Sequence, residues 1–443
     1  MAQRTVGRTG RRVRLAGLLF AAGMLAGAPA AGEEVTFTGD VAPILWNHCV
    51  ECHRPGSFAP MSLLDYETAK RYAGVIKFRV QERLMPPWHI DRNVGVQAYK
   101  NDISLSDEQI DTIARWVDAG APRGPGDPPP VPAFPEGGSW QLEAELQRPP
   151  DLVVRSTPYD VQPNGQDQWW GPAVPVEGID EPRWIQAYEF KPSWPGGMKV
   201  VHHGHAYYRT SGTGRGLAIA HYGVGKRYEI FPQDVGMLLP AGEAVVTWNL
   251  HYAPFATTEA VPGDVAEVGL WFHPDGVTPR IETAGEVLFR VDRMGGMPRG
   301  GDILIPPNSY KVIQGVHTLD RPTLIQSFRP HMHTRGKEMS IEALLPDGRR
   351  EMLGKIDNYR HNWQITYLIE EGAQPLLPKG TTLLFTSVFD NTAANEINPD
   401  PNQWVVFGRR GVDEMSHMWV GISYLAEEQY QMLLAEQWQG SSK

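Results

Sequence analysis

Two textures of apolar spacing divide the chain. From residue 34 to about 121 apolar side chains recur at helical intervals. Thr38 or Asp40 is placed to cap a helix running into residues 49–53, and a second helical stretch over 69–84 is stopped by Pro86-Pro87. A third helix starts at Ser106-Asp107-Glu108-Gln109, a capping box, carries Ile110, Ile113 and Val117 on one face, and meets its stop at Gly120. Residues 122–138 hold seven prolines and four glycines, a composition that favours extended, semi-rigid backbone and predicts an interdomain linker. Beyond it, short runs rich in Val, Tyr, Phe, Trp and Thr at 200–208, 244–252, 265–272, 323–333, 382–389 and 418–424 alternate with Gly, Pro, Asn and Asp. That pattern predicts antiparallel, jelly-roll-like β-sandwiches. The glycine-rich stretch 294–301 would separate two of them, with no sequence repeat between the halves.

The expected organisation is therefore an export signal over 1–32, a helical domain over 33–121, a linker over 122–138, and sandwiches over 139–297 and 298–443. A length of 443 residues and 41% hydrophobic content suit roughly three globular cores. A formal net charge of −10, with no basic stretch interleaved with aromatics after the first fifteen residues, excludes nucleic acid as an expected partner. Arg4, Arg8, Arg11, Arg12 and Arg14 precede an apolar run over 15–25 and then Ala28-Pro29-Ala30, the layout of a cleavable export signal. Arg11-Arg12 hints at twin-arginine export, but its surroundings fit that signal poorly, so the general secretory route is expected. No later run reaches the ~18 apolar residues a membrane span needs, which predicts a soluble periplasmic or secreted protein without stable membrane insertion.

The only two cysteines lie in Cys49-Val50-Glu51-Cys52-His53. This is the pattern that fastens a c-type haem: two thioether bonds hold the porphyrin and the adjacent His53 supplies an iron ligand. The plainer alternative is a small-loop disulfide. The sixth ligand of such a haem is commonly a downstream Met or His. Met85, in Leu84-Met85-Pro86-Pro87-Trp88-His89, is the best placed, with Trp88 set to pack on the porphyrin; Met61 and His89 are rivals, and Met85 as a core residue is the bland reading.

Several of the 14 histidines cluster within expected strands. His331 and His333, two apart, project from one face of an extended strand and can chelate one ion. His202 and His203 are adjacent, so sharing a metal demands a twist or bulge there. His251 lies in Asn249-Leu250-His251-Tyr252, and Met415 in Asp413-Glu414-Met415. Imidazole suits copper as well as zinc, but a structural zinc site is typically closed by four ligands that include thiolate, which is absent here.

In this ordered set the chain resembles the copper type II, ascorbate-dependent monooxygenases, the family of peptidylglycine alpha-hydroxylating monooxygenase and dopamine beta-monooxygenase, over roughly residues 200–425. The resemblance implies one copper held by His202, His203 and His251 in the first sandwich, relaying an electron. It implies a second copper held by His331, His333 and Met415, where dioxygen hydroxylates a C–H bond of a small organic substrate. Arg329 matches the family's substrate-carboxylate arginine, but His417 and Trp419 stand where its other two clamp residues belong, so a C-terminal glycine peptide is not the expected substrate. The disulfides of the animal enzymes are missing. His205, His221, His273, His317, His361 and His417 are expected to be structural. The combined expectation is an exported haem c and copper monooxygenase in which the haem feeds electrons to the coppers, supplied in turn by an external donor. The alternatives are an electron-transfer or copper-binding protein without oxygenase activity, and an enzyme that passes electrons the other way.

Overall fold

A computed structural model of the chain describes residues 34–57, 59–134, 138–163, 165, 167–177, 179–210, 216–223, 226–253, 257–291 and 303–440. It is mostly antiparallel β-sheet with few helices. The expected export signal and the 294–301 boundary both lie outside the described residues.

Among the described residues, four α-helices gather in the N-terminal body. Ser106 and Gln109 form the reciprocal capping box that satisfies two otherwise orphaned N–H groups at the start of Asp107–Asp118, and Gly120, at a positive φ of 87°, ends it. The stretch expected as one helix is two, Tyr66–Arg71 and Ala73–Gln81, divided at Tyr72. These pack with Ala42–His48 around Phe37, Leu45, Trp46, Ile76, Ile113 and Trp116. The proline-rich segment is not a free tether at its start. Pro122 accepts hydrogen bonds from the Phe37 N–H and the Trp116 indole, and Arg123 accepts one from the Thr38 N–H, each at 3.0 Å.

Two β bodies follow. In the first, a sheet with Leu152–Arg155, Glu267–Phe272, Arg183–Lys191 and Val235–Leu239 in that order faces one ordered Gln168–Trp170, Ala244–Tyr252, Val201–Thr210 and Leu217–Gly223. Alternate side chains of both meet in a core that includes Ile185, Phe190, Tyr208, Ile219, Val246 and Leu270. In the second, Glu286–Arg290, Ser416–Tyr424 and Thr323–Met332 lie over Tyr310–Thr318, Thr382–Asp390, Gly336–Leu344 and Arg350–Ile356. Because Glu286–Arg290 pairs with Ser416–Tyr424, the second body begins near residue 285 and not after 297. The glycine-rich stretch is therefore inside that body's sequence, after its first strand. The helix Glu427–Gly440 returns to the first body, where Tyr430 and Leu433 join its core and Glu436 pairs with Arg280 at 2.8 Å.

Residues 85–103 leave the helical body and dock on the second β body. Trp88, 7% exposed, meets the rings of Tyr367 and Tyr99 edge-on at 4.8 and 5.8 Å, and belongs to that body's core. Backbone bonds from Asp91 to Lys355 and from Val96 to Leu353, at 2.7 and 2.9 Å, add an edge to the contact. Trp88 therefore does not pack on a porphyrin, contrary to expectation; its indole finds a larger apolar surface in the sandwich. Trp88→Ala should destabilise the chain by about 3–5 kcal/mol, the usual cost of emptying a buried Trp site. Urea denaturation measures this, and a change under about 1 kcal/mol would mean that the docking contact contributes little.

Candidate metal centre

The first histidine cluster depends on a bulge. Strand Val201–Thr210 pairs with Ala244–Tyr252 so that His203 faces His251 and Val201 faces Tyr252, which leaves His202 as the extra, unpaired residue. The bulge turns both adjacent imidazoles toward His251, meeting the condition their adjacency imposes. Gly204 permits this strand to lie close on its neighbours: a Cβ there would meet the Phe190 ring at 2.4 Å. The candidate ligand atoms of His202, His203 and His251 lie within 4.8 Å of one another. His251 Nδ1 is 3.1 Å from His203 Nε2. Two nitrogens each roughly 2 Å from one ion at a near-tetrahedral angle sit about 3.3 Å apart, so this spacing fits a shared metal. Both ring nitrogens of His202 are buried without a hydrogen bond; the backbone of Asn362 lies against the ring but outside bonding geometry. Orphaned buried nitrogens are rare unless something else satisfies them.

Asp167, which the sequence did not single out, completes this cluster. Its carboxylate is 3.2 Å from His251 Nε2 and accepts the Gly411 N–H at 3.0 Å. Burial opposes its ionisation, but the adjacent His251 imidazole and the bond from the Gly411 N–H prevail and hold its carboxyl below the usual range. A carboxylate on one imidazole nitrogen fixes the proton there and turns the other nitrogen's lone pair to a metal. Trp169 stacks flat on the His251 ring at 4.5 Å.

The second cluster has the same logic with different partners. His333 Nδ1 donates to the Asp413 carbonyl at 3.1 Å, and His331 Nδ1 is bonded to the Gln364 amide, which leaves the Nε2 of each available. Glu414, fully buried, accepts the backbone N–H groups of His333 and Arg335 at 2.9 and 2.7 Å, which locks the Asp413-Glu414-Met415 turn onto the histidine strand. Met415 then lines the same cavity as His331 and His333. His417, expected to be structural, sits opposite His331 in the strand register and lines that cavity too, as a second candidate third ligand.

The two clusters share one chamber. A cavity of about 340 Å³ between the β bodies has His203 and His251 on one wall and His331, His333 and Met415 on the other, and the His203 and His331 rings are 6.0 Å apart. His361, also expected to be structural, stands between the clusters, 5.6 Å from the His202 ring and 5.4 Å from that of His333. Arg329 lines the chamber but is 1% exposed, bound to Glu286 at 2.5 Å, and donates to His205 Nε2 at 3.1 Å. With its charge committed inside the protein, Arg329 is not the carboxylate clamp that the resemblance implies. His205 and His221 belong to this buried network and His273 bonds the Val235 carbonyl, in keeping with structural roles, while His317 packs on Phe289.

The cysteine motif borders a separate cavity of about 770 Å³. Cys49, His53, Met61 and Met85 line it, together with Arg360, His361, Asn362 and Trp363 of the second β body. Cys52 opens instead on a neighbouring cavity. The two thiols form no disulfide, and burial pushes both up to about 12, opposite to the lowered value of a reactive redox thiol pair. His53 Nδ1 donates to the Met61 carbonyl at 3.2 Å, leaving Nε2 as the ligand atom. His89 does not line this cavity; it is buried beside Tyr367. Cys49 and His53 share this cavity with two candidate sixth ligands for a c-type haem, Met61 and Met85, while Cys52 lies on its neighbour.

No protein-family model matches the chain, and no curated protein matches it. Solved structures overlap it only weakly. The PBSX exported protein XepA is 7% identical, with 61% of this chain and 86% of that one covered and a TM-score of 0.16. A Paenibacillus xanthan lyase is 10% identical, with 67% and 28% covered and a TM-score of 0.16. The CUB1-EGF-CUB2 region of human MASP-1/3 is 8% identical, with 61% and 100% covered and a TM-score of 0.13. At these scores the overlaps carry no argument about fold or activity.

Asp167→Asn should weaken copper binding at the first cluster by roughly 10–100-fold, the range for a ligand's hydrogen-bond partner, in competition titrations against a copper chelator; unchanged affinity would detach Asp167 from the metal. Acid should destabilise the metal-free protein. Burial lowers His202, His203, His221 and His331 well below 6.5, and His205 and His333 to about 3. Below about pH 6.5 the unfolded chain takes up protons that these folded imidazoles refuse, so stability falls as pH falls through that window. The urea midpoint should drop between pH 7 and pH 5, and a flat profile would contradict the burial.

Proposed function

We propose that this chain is an exported, haem c-bearing copper monooxygenase that hydroxylates a C–H bond of a small organic molecule with dioxygen. The observation that carries the reading is the single chamber faced from opposite walls by His203 and His251 and by His331, His333 and Met415. A pure electron carrier needs no such chamber between its metals.

On this reading His202, His203 and His251 hold one copper and His331, His333 and Met415 the other. Bound copper supplies one-electron chemistry and an open position for dioxygen. The remaining work belongs to the protein. Asp167, Gln364 and the Asp413 carbonyl set the tautomers and aim the lone pairs. Glu414 fixes where the thioether lies relative to the two imidazoles. Trp169, Phe407 and Trp419 give the chamber apolar wall surface.

At about 340 Å³ the chamber stands at the small end of ligand sites, which favours a compact molecule over a peptide. Among the described residues its lining includes Arg290 and Arg409, beside the internally paired Arg329, and no acidic side chain, so it suits a neutral or anionic substrate. Cys49, Cys52 and His53 would hold the haem, with Met85 as the sixth ligand. Overall, R–H and dioxygen yield R–OH and water, consuming two electrons and two protons. A haem held there would supply one-electron transfer toward the chamber, fed in turn by an external donor protein.

Copper-loaded, haem-bearing protein should bind two coppers per haem and show substrate-dependent oxygen uptake with a panel of small organic acids and aromatics. Met415→Ala should keep the first copper and lose coupled turnover by roughly tenfold or more. Fast electron exchange without oxygen uptake on any substrate would instead identify a carrier.

A further inference from the structure

The segment Arg360-His361-Asn362-Trp363 touches both halves of the molecule. All four residues line the cavity that holds Cys49 and His53, yet they belong to the second β body. From that cavity the segment reaches each histidine cluster by a short physical link. The His361 ring is 5.6 Å from His202 and 5.4 Å from His333. His361 Nδ1 donates to the Met332 carbonyl at 3.4 Å, and Met332 is the residue between His331 and His333, so one hydrogen bond joins this segment to the backbone of both second-cluster imidazoles. The backbone of Asn362 lies against His202. Arg360 Nε is buried with no partner on the same cavity wall, a cation placed for an anionic group such as a haem propionate.

We propose that residues 360–363 are the electron bridge between the haem cavity and both copper clusters, with His361 as its coupling residue. The inference rests on the haem and copper reading above. In each transfer one electron leaves ferrous haem, which becomes ferric, and reduces one cupric ion to cuprous; no proton need move. A one-electron donor protein re-reduces the haem, and dioxygen is the final acceptor. The segment performs this because it is continuous matter across the gap: backbone and a single hydrogen bond replace a jump through solvent, with His361 itself buried between the two clusters.

The test uses the full-length holoprotein, fully oxidised and free of dioxygen. A laser-generated flavin semiquinone places one electron on the haem, and the decay of the reduced-haem visible band reports its departure. In the wild-type chain this decay should be first order and independent of protein concentration. His361→Phe keeps a ring of similar size and removes the bond to Met332; it should slow the decay by about tenfold or more while haem content, copper content and circular dichroism stay the same. His361→Gln, whose amide can still donate to that carbonyl, should recover much of the rate. An unchanged rate in His361→Phe overturns this bridge and leaves the proposed function standing. A wild-type chain with both cofactors but only concentration-dependent decay overturns the bridge as well, with the oxygenase then supplied by another route. A chain that takes up neither haem nor copper overturns both proposals.

Discussion

Imidazole nitrogens buried without hydrogen bonds are the constraint on which the rest of this structure turns. Both ring nitrogens of His202 and Nδ1 of His203 are buried without a hydrogen bond where two β bodies meet, with the rings of His251, His331 and His361 beside them. Leaving a buried polar atom unpaired costs about 1–3 kcal/mol. A fold does not hold several such atoms together unless a ligand satisfies them or function requires them. Burial also keeps His202, His203, His331 and His333 neutral near neutral pH, as metal ligands must be. The bulge at His202, the Asp167 carboxylate, the Gln364 amide and the buried Glu414 all act to hold that set in place.

A second layer, just beneath, fixes the two β bodies relative to each other. Glu286, on the first strand of the second body, binds Arg329 of the same body and Lys226 of the first, at 2.5 and 3.4 Å. Burial opposes its charge, but both cations outweigh that and hold its carboxyl well below the usual range. Replacing a buried ion network with apolar side chains often raises stability, so its presence is better explained by geometry than by strength. A charged triad has one arrangement that satisfies every member, which is the property needed at a joint where two walls must face across a narrow chamber. This also accounts for Arg329 serving the joint and not a substrate.

What the sequence made legible follows from how local each signal is. The helix at Asp107–Asp118 was readable because its capping box and apolar spacing fall within one short window. The strands bearing His202, His251 and His331 were readable for the same reason, and the bulge could be required in advance since adjacent residues on a flat strand diverge. The body boundary was misplaced because a glycine-rich stretch resembles a linker, while membership of Glu286–Arg290 is decided by pairing with a strand about 130 residues later. Trp88 was misassigned for a related reason: its partners Tyr99 and Tyr367 come from either side of the linker. Asp167, His361 and His417 carried no motif at all. Only the tertiary arrangement sets Asp167 against His251, or sets His361 between two clusters whose nearest members in sequence, His251 and His331, are 80 residues apart.

Joining a haem body to a copper body helps electron delivery only if the join fixes their geometry. A flexible tether raises effective concentration, but each transfer would still wait for a productive encounter. Here the early part of the proline-rich segment is bonded along the helical body, and residues 85–103 bind that body to the second sandwich through Trp88 and the edge contacts of Asp91 and Val96. The cavity of the cysteine motif is thereby closed by the sandwich's own residues 360–363. Its back wall is the outer face of the segment whose inner face meets the histidines. On the proposed reading, the same docking that buries Trp88 sets the distance an electron must cross. The residues that most affect delivery are then those of the docking contact and of this shared wall, well away from the metal ligands themselves.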